Sequence, residues 1–421
     1  MGGVRATIMV LMLAGLGPLA SSQADGQSQP PSPTVSPDAL PDVPPTPAGQ
    51  SPFSFFNNYS WRSFIALNWP ALTDPLHRGE PDRTKPFGEV SGPRVWEAWK
   101  SEIEIFQPGG ASPSIWTSYA GQNPCGAGFS NEGVTLSAFT AFGDFNQAIF
   151  SMSGVGNPLV AQNKTYARYE VRVNQPEFDA IVGHGWYLAA NLPRPEAAVA
   201  FDNGSIEVKV AWRILTANDT AAVRGRYYVV PGASVFDVAT GKCLKQDVAL
   251  VGLHIVAKTP DRPQWIWSTF EQIDNVPGIT TEPKPPSGTP FSFNDPIQQQ
   301  ALNPAKRPPA ISPTNPPIPS PIPMQVVRKQ QIVDETMAMN RAYWALPEIT
   351  GTVWQNYMLV MTQWPTQISP ERPSNDGAPF PNGGSELANT TMETYFQFDG
   401  GSCMAAVCRV IRYQTMRAAT S

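Results

Sequence analysis

The chain has 421 residues, of which 15% are charged, and a formal net charge of −5. Charge is far below the usual share of about 25%, and no basic field exists to hold a phosphate backbone, which argues against nucleic acid as a partner. The 46 prolines are well above the usual share of about 5% and disfavour an all-helical bundle, because proline breaks helix interiors.

Arg5 followed by the apolar stretch 6–19 and by small residues at Ala20, Ser22 and Ala24 predicts a signal peptide over 1–24. The run is too short to remain as a membrane span, and no later run reaches that length, so no integral membrane span is expected and the mature protein should be periplasmic or secreted. In such a compartment the four cysteines, Cys125, Cys243, Cys403 and Cys408, meet oxidising conditions. Four cysteines allow three pairings. Cys125–Cys243 with Cys403–Cys408 is the preferred one, and free thiols are the alternative. Residues 25–52 are a Pro/Ser segment with almost no large apolar side chain, which predicts a disordered or polyproline II linker.

Helical spacing of Trp61, Phe64, Ile65 and Asn68 predicts a helix over 57–68, capped by Asn57 or Asn58 and ended by Pro70. A second is predicted over 93–103, with Pro93 at its first position. The Gly/Ser/Asn-rich stretch 107–165 reads as loops with one helix near 137–149. Alternation predicts a strand over 169–173, followed by a helix over 177–182 that starts at Asn174 and stops at Gly183 or Gly185. The strand block comes next: 205–215, 227–230, 234–238, 247–258 and 263–272, with turns at 202–204, 231–232 and 240–242. Fourteen prolines fall within 283–323, which reads as a long surface loop. After it come a helix over 326–346, a strand over 353–361 and a short helix over 387–396. The expected fold class is α+β, with an antiparallel, sandwich-like β core, flanking helices and long Pro-rich loops. A single large domain is expected over 53–400, with a tail over 401–421.

No nucleophile elbow, Walker loop, complete dinucleotide fingerprint or EF-hand is present. The three histidines (His77, His184 and His254) lack zinc-site spacing, so no metal site is expected. Two places carry residues suited to chemistry. Trp265 and Trp267 would share one face of a strand and could stack a sugar, with Glu271 and Asp274 as a catalytic carboxylate pair if the chain turns between them. The plainer reading is a packed aromatic cluster. His254 lies in an apolar run, 248–256, interrupted only by Gly252, which suits a bulge or the close approach of another group. His254 reads as a buried core histidine or, more sharply, as an axial metal ligand or a proton carrier.

The blocks at 54–70, 206–215, 250–277 and 387–396, followed by Ser402-Cys403-Met404, resemble a family of exported bacterial proteins. That family is similar to c-type cytochromes at one point, a terminal Ser-Cys-Met-x-Cys-His. The resemblance spans most of 53–403 and implies haem c in relatives, with His254 or a methionine as sixth ligand. Covalent attachment needs two cysteines on one turn and a following histidine. Here Ala406 and Val407 stand at the second cysteine and the histidine, and Cys408 comes two residues late. No haem is therefore expected on the chain as written, although codons for 405–412 exist that spell the complete motif in a shifted frame. The resulting expectation is an exported, redox-associated, cytochrome c-like protein with a redox partner and a lost attachment site. Cys403 and His254 are its remaining cofactor-side residues. The alternative is a carbohydrate-active hydrolase or glycan-binding module built on Trp265, Trp267, Glu271 and Asp274.

Overall fold

The computed structural model describes residues 31–137, 145–149, 156–193, 201–278, 282–297, 307–364 and 388–397. The predicted signal peptide, Cys403, Cys408 and the rest of the tail lie outside these residues.

The centre of the fold is one long strand, β8 (Lys242–Thr259), which carries the apolar run around His254. Along one edge it pairs antiparallel with β6 (Ile206–Ile214). Its other edge is shared. The first half pairs with β7 (Val229–Asp237), and the second half pairs with β9 (Arg262–Gln272). Beyond β6 lie β5 (Arg168–Val173) and the short β1 (Lys100–Ser101). Beyond β9 lies β10 (Tyr357–Gln363), and beyond β7 lies β2 (Thr135–Leu136). Only the β2–β7 pair is parallel, so the eight strands form a curled mixed sheet within an α+β fold. A separate ribbon joins β3 (Ala148–Ile149) to β4 (Gly156–Asn157).

One sheet face is apolar. Val208, Val210, Trp212, Leu253, Ile255 and Phe270 pack there with Trp61 and Phe64 of α1 (Pro52–Leu67) and Tyr343 of α5 (Asp334–Trp344). Trp61 stacks on Tyr343 at 4.9 Å and Phe64 on Phe270 at 4.3 Å, so aromatic rings join the helices to the sheet.

Several boundaries differ from expectation for local reasons. α1 begins at Pro52, so Asn57 and Asn58 are interior residues rather than caps. Both are buried and serve as cross-links: Asn57 bonds Thr336 and Thr362, and Asn58 accepts from Tyr343. The helix predicted over 93–103 is only a 3-10 turn at Trp96–Ala98, then β1, then α2 (Glu102–Ile105). Pairing of Lys100 and Ser101 with β5 replaces the helical bonds there. The turn expected at Pro231-Gly232 is a bulge inside β7, where the register slips between Val230 and Ala233 and Gly232 takes φ 64°. α3 (Gln175–Gly183) is capped by Asn174 as predicted, and α4 (Ala221–Arg224) by Thr220. α5 covers only the second half of its predicted span. Residues 388–397 form consecutive turns and no regular helix.

Residues 31–51 have no helix or strand, yet they are seated rather than loose. Val43 is buried with Phe55, Phe56 and Tyr59 of α1, Asp38 pairs with Arg83, and Arg62 donates to Thr34 and to the Asp38 carbonyl. A few apolar anchors and side-chain bonds hold this Pro/Ser chain along α1. The one disulfide among the described residues joins Cys125 to Cys243 and closes a separation of 118 residues.

Candidate functional site

The second face of the sheet is unusual because it is polar and buried. Alternation places Glu207, Lys209 and Ala211 of β6 on it, beside Gly252 and His254 of β8 and Trp267, Thr269 and Glu271 of β9. Such alternation normally marks a strand with one face in solvent. Here Glu207, Lys209, His254, Thr269 and Glu271 are all buried.

A strap, residues 388–397, covers the middle of this face, and every one of its residues is buried. It is fastened mainly by polar bonds. Glu393 Oε1 lies 3.0 Å from His254 Nε2, and His254 Nδ1 lies 3.1 Å from Thr269 Oγ1. Thr390 donates from its backbone and its hydroxyl to Glu271, at 2.6 and 2.5 Å. Asn389 donates to the Phe270 carbonyl, and Tyr169 donates to the Thr391 carbonyl. Gly252 lies under the strap, where an added Cβ would sit 2.3 Å from Thr391 Oγ1. The register slip beside it, between Ala211 and Trp212, is a bulge. Both roles anticipated for this glycine, bulge and close approach, are present.

Burial by itself would raise the Glu393 carboxyl. His254, Lys209 and the Asn389 N–H outweigh that cost and hold it below its ordinary value. Behind the strap, Arg328 bridges Glu271 at 2.9 Å and Glu282 at 3.0 Å, and all three are buried. At the other end of the face, Glu177 of α3 lies against Glu207. Burial and mutual repulsion raise Glu177 well above the carboxylate range. Burial raises Glu207 to about 7, with Lys209 opposing it.

The predicted site residues are redistributed by this arrangement. His254 is a satisfied core histidine, with both ring nitrogens engaged and the ring fully buried. An iron ligand role would require Thr269 or Glu393 to release it. Glu271 and Asp274 do not face one another as a catalytic pair. Glu271 is consumed by Arg328 and Thr390, whereas Asp274 binds Arg226 at 2.5 and 2.8 Å and accepts from Gln272. Both carboxylates are fully buried, so neither meets solvent.

Trp265 and Trp267 do not form one open face either. Trp267 is 2% exposed, edge-on to His254 at 6.3 Å, and its Nε1 has no hydrogen-bond partner. Trp265 takes φ 75°, which breaks the alternation and turns its ring to Phe201 at 5.9 Å. The residues that sequence reasoning missed are Glu393, Arg328 and Lys209. Glu393 lay within a block that carried the family resemblance, but nothing in its spacing pointed to His254, 139 positions away.

A second buried charged group lies toward the apolar core. Tyr228 donates to Glu97 at 2.5 Å, Trp212 Nε1 donates to Glu170 at 2.8 Å, and Arg172 pairs with Glu170 at 2.9 Å. Burial raises Glu97 to about 7 against the pull of Tyr228, Arg94 and Arg172.

No family model, curated protein or solved structure matches this chain. Among the described residues no cluster of His, Cys, Asp and Glu could hold a metal ion, and no helix is long and apolar enough to cross a membrane.

Proposed function

We propose that this is an exported, redox-associated protein of the cytochrome c-like type, whose haem-attachment turn has been lost from the tail. The observation that supports this reading is the convergence of the four blocks that carry the resemblance. α1, β6, the β8–β9 hairpin and the strap are widely separated in sequence, yet they form one continuous body. α1 packs on the apolar face. β6, β8 and β9 are adjacent strands, and the strap lies on the polar face over Gly252, His254 and Glu271. Cys403 is only six positions beyond Gln397, the last described residue of the strap. A chain of that length spans at most about 20 Å. A haem on Cys403 would therefore be tethered within that distance of the end of the strap.

In this chain Cys403 stands at the first cysteine of the motif, but Ala406 and Val407 supply neither the second thioether nor an iron ligand. The chain as written therefore carries no covalent haem and acts as a partner or scaffold in a redox system. The test is a haem stain of denatured, exported protein made in a host that matures c-type cytochromes. The natural chain should not stain, and the double variant Ala406→Cys, Val407→His should. Staining of the natural chain overturns the loss of the site. A folded, exported double variant that stays colourless overturns the cytochrome reading.

A further inference from the structure

The Tyr228–Glu97 pair has a chemistry that the tail reading does not use. Tyr228 is 2% and Glu97 3% exposed, so both are shielded from solvent. The other buried tyrosines with described hydroxyl bonds use neutral or cationic partners, Tyr227 meeting Arg213 as well as a hydroxyl. Tyr357 donates to the Leu250 carbonyl, Tyr169 to the Thr391 carbonyl, Tyr395 to the Pro158 carbonyl, Tyr343 to the Asn58 amide, and Tyr227 meets the Ser292 hydroxyl. Among the described hydrogen bonds, only Tyr228 places its phenol on a carboxylate.

That difference matters for oxidation. Loss of an electron from a phenol makes its O–H strongly acidic, so the proton must leave with the electron. A buried phenol bonded to a carbonyl has no base to receive it and would have to hold an unsolvated positive charge, which is costly. Glu97, when ionised, is a base in line with the O–H. Arg94 and Arg172 favour its ionised form, while burial opposes it.

The pair also has an outlet for the electron. The Tyr228 ring stacks on Trp354 at 5.2 Å, Trp354 on Phe87 at 5.4 Å, and Phe87 lies 5.8 Å from Trp69. Trp69, at 8% exposed, is the ring of this series closest to the surface.

We propose that Tyr228 is a redox-active tyrosine, which gives one electron through Trp354 to an external one-electron oxidant and its phenolic proton to Glu97. The balance is a phenol, a carboxylate and the oxidant going to a neutral tyrosyl radical, a carboxylic acid and the oxidant reduced by one electron. Re-reduction returns the proton to the phenol oxygen. The inference extends the redox reading but needs no haem, so the haem stain and the test below fail independently.

The test uses the full chain with photogenerated ruthenium(III) tris-bipyridine as oxidant, persulfate as the sacrificial acceptor and electron paramagnetic resonance as the readout. The expected result is a tyrosyl signal that is lost in Tyr228→Phe. Glu97→Gln keeps a hydrogen-bond acceptor but no base, and should cut the yield roughly tenfold or more. The natural chain's yield should rise as Glu97 loses its proton near pH 7, and the yield of Glu97→Gln should be flat. A full tyrosyl signal in folded Tyr228→Phe overturns the assignment. If Tyr228→Phe does not fold, equal yields and equal pH profiles in the natural chain and Glu97→Gln overturn it instead.

Discussion

Glu97 makes the stability of this protein depend on pH in the opposite sense to a salt-bridged carboxylate. In the folded chain its carboxyl is raised from 4.5 to about 7, mainly by burial, with Tyr228, Arg94 and Arg172 opposing. The folded state therefore binds more protons than the unfolded state between those two values, and stability falls as pH rises through that window. The group's contribution is fully present below 4.5 and is lost above the folded value. At about 1.4 kcal/mol per pH unit the whole effect is about 3 kcal/mol, most of it between pH 5 and pH 8. Glu97→Gln removes the titration while its amide oxygen can still accept from Tyr228. Urea unfolding of the natural chain and the variant near pH 5 and pH 8 measures the difference. The natural chain should lose about 3 kcal/mol more than Glu97→Gln between the two pH values. If the two proteins lose the same amount, burial does not raise the Glu97 carboxyl in the folded chain and this reasoning is wrong.

The remaining predictions concern the strap and its surroundings. Glu393→Gln breaks the buried pair with His254 and should destabilise the protein by about 3 kcal/mol in urea unfolding at neutral pH. Because the folded Glu393 carboxyl lies below its ordinary value, its contribution is present above that value and lost as pH falls through the folded one, so the variant should also show a shallower acid limb. Gly252→Ala forces a Cβ against Thr391 and should cost about 1–3 kcal/mol while exposing 388–397 to limited proteolysis; an unchanged digestion pattern would show that the strap is not seated there. Replacing Cys125 and Cys243 together by serine opens a loop of 118 residues, and the chain-entropy estimate for that loss is about 5 kcal/mol, read as a lower denaturation midpoint that added reductant does not lower further.

Local patterning determined much of the architecture. Alternation in 205–215 and the apolar run within 247–258, with polar turns between the strands, identified β6 and β8 as strands. Asn174 followed by an apolar-periodic segment identified the start of α3, and Gly252 marked the close approach beneath the strap. These features are legible because each depends on neighbours in sequence: a two-residue or 3.6-residue period, a cap, or a missing Cβ. What only the tertiary structure decided is the partner of each polar group. Alternation in β6 and β9 shows which polar residues share a face, but it is the strap and Arg328, reached across long loops, that bury them. Glu271 and Asp274 sit three residues apart and look like a pair, yet each is taken by a different arginine, Arg328 and Arg226, 57 and 48 positions away. The positive φ of Trp265 likewise follows from the β8–β9 register rather than from its own propensity, and it separates two indoles that simple alternation had put side by side. A period in sequence states which residues share a face; only the packing of distant segments fixes what that face meets, and so whether a carboxylate there is a catalyst, a counter-ion or a proton store.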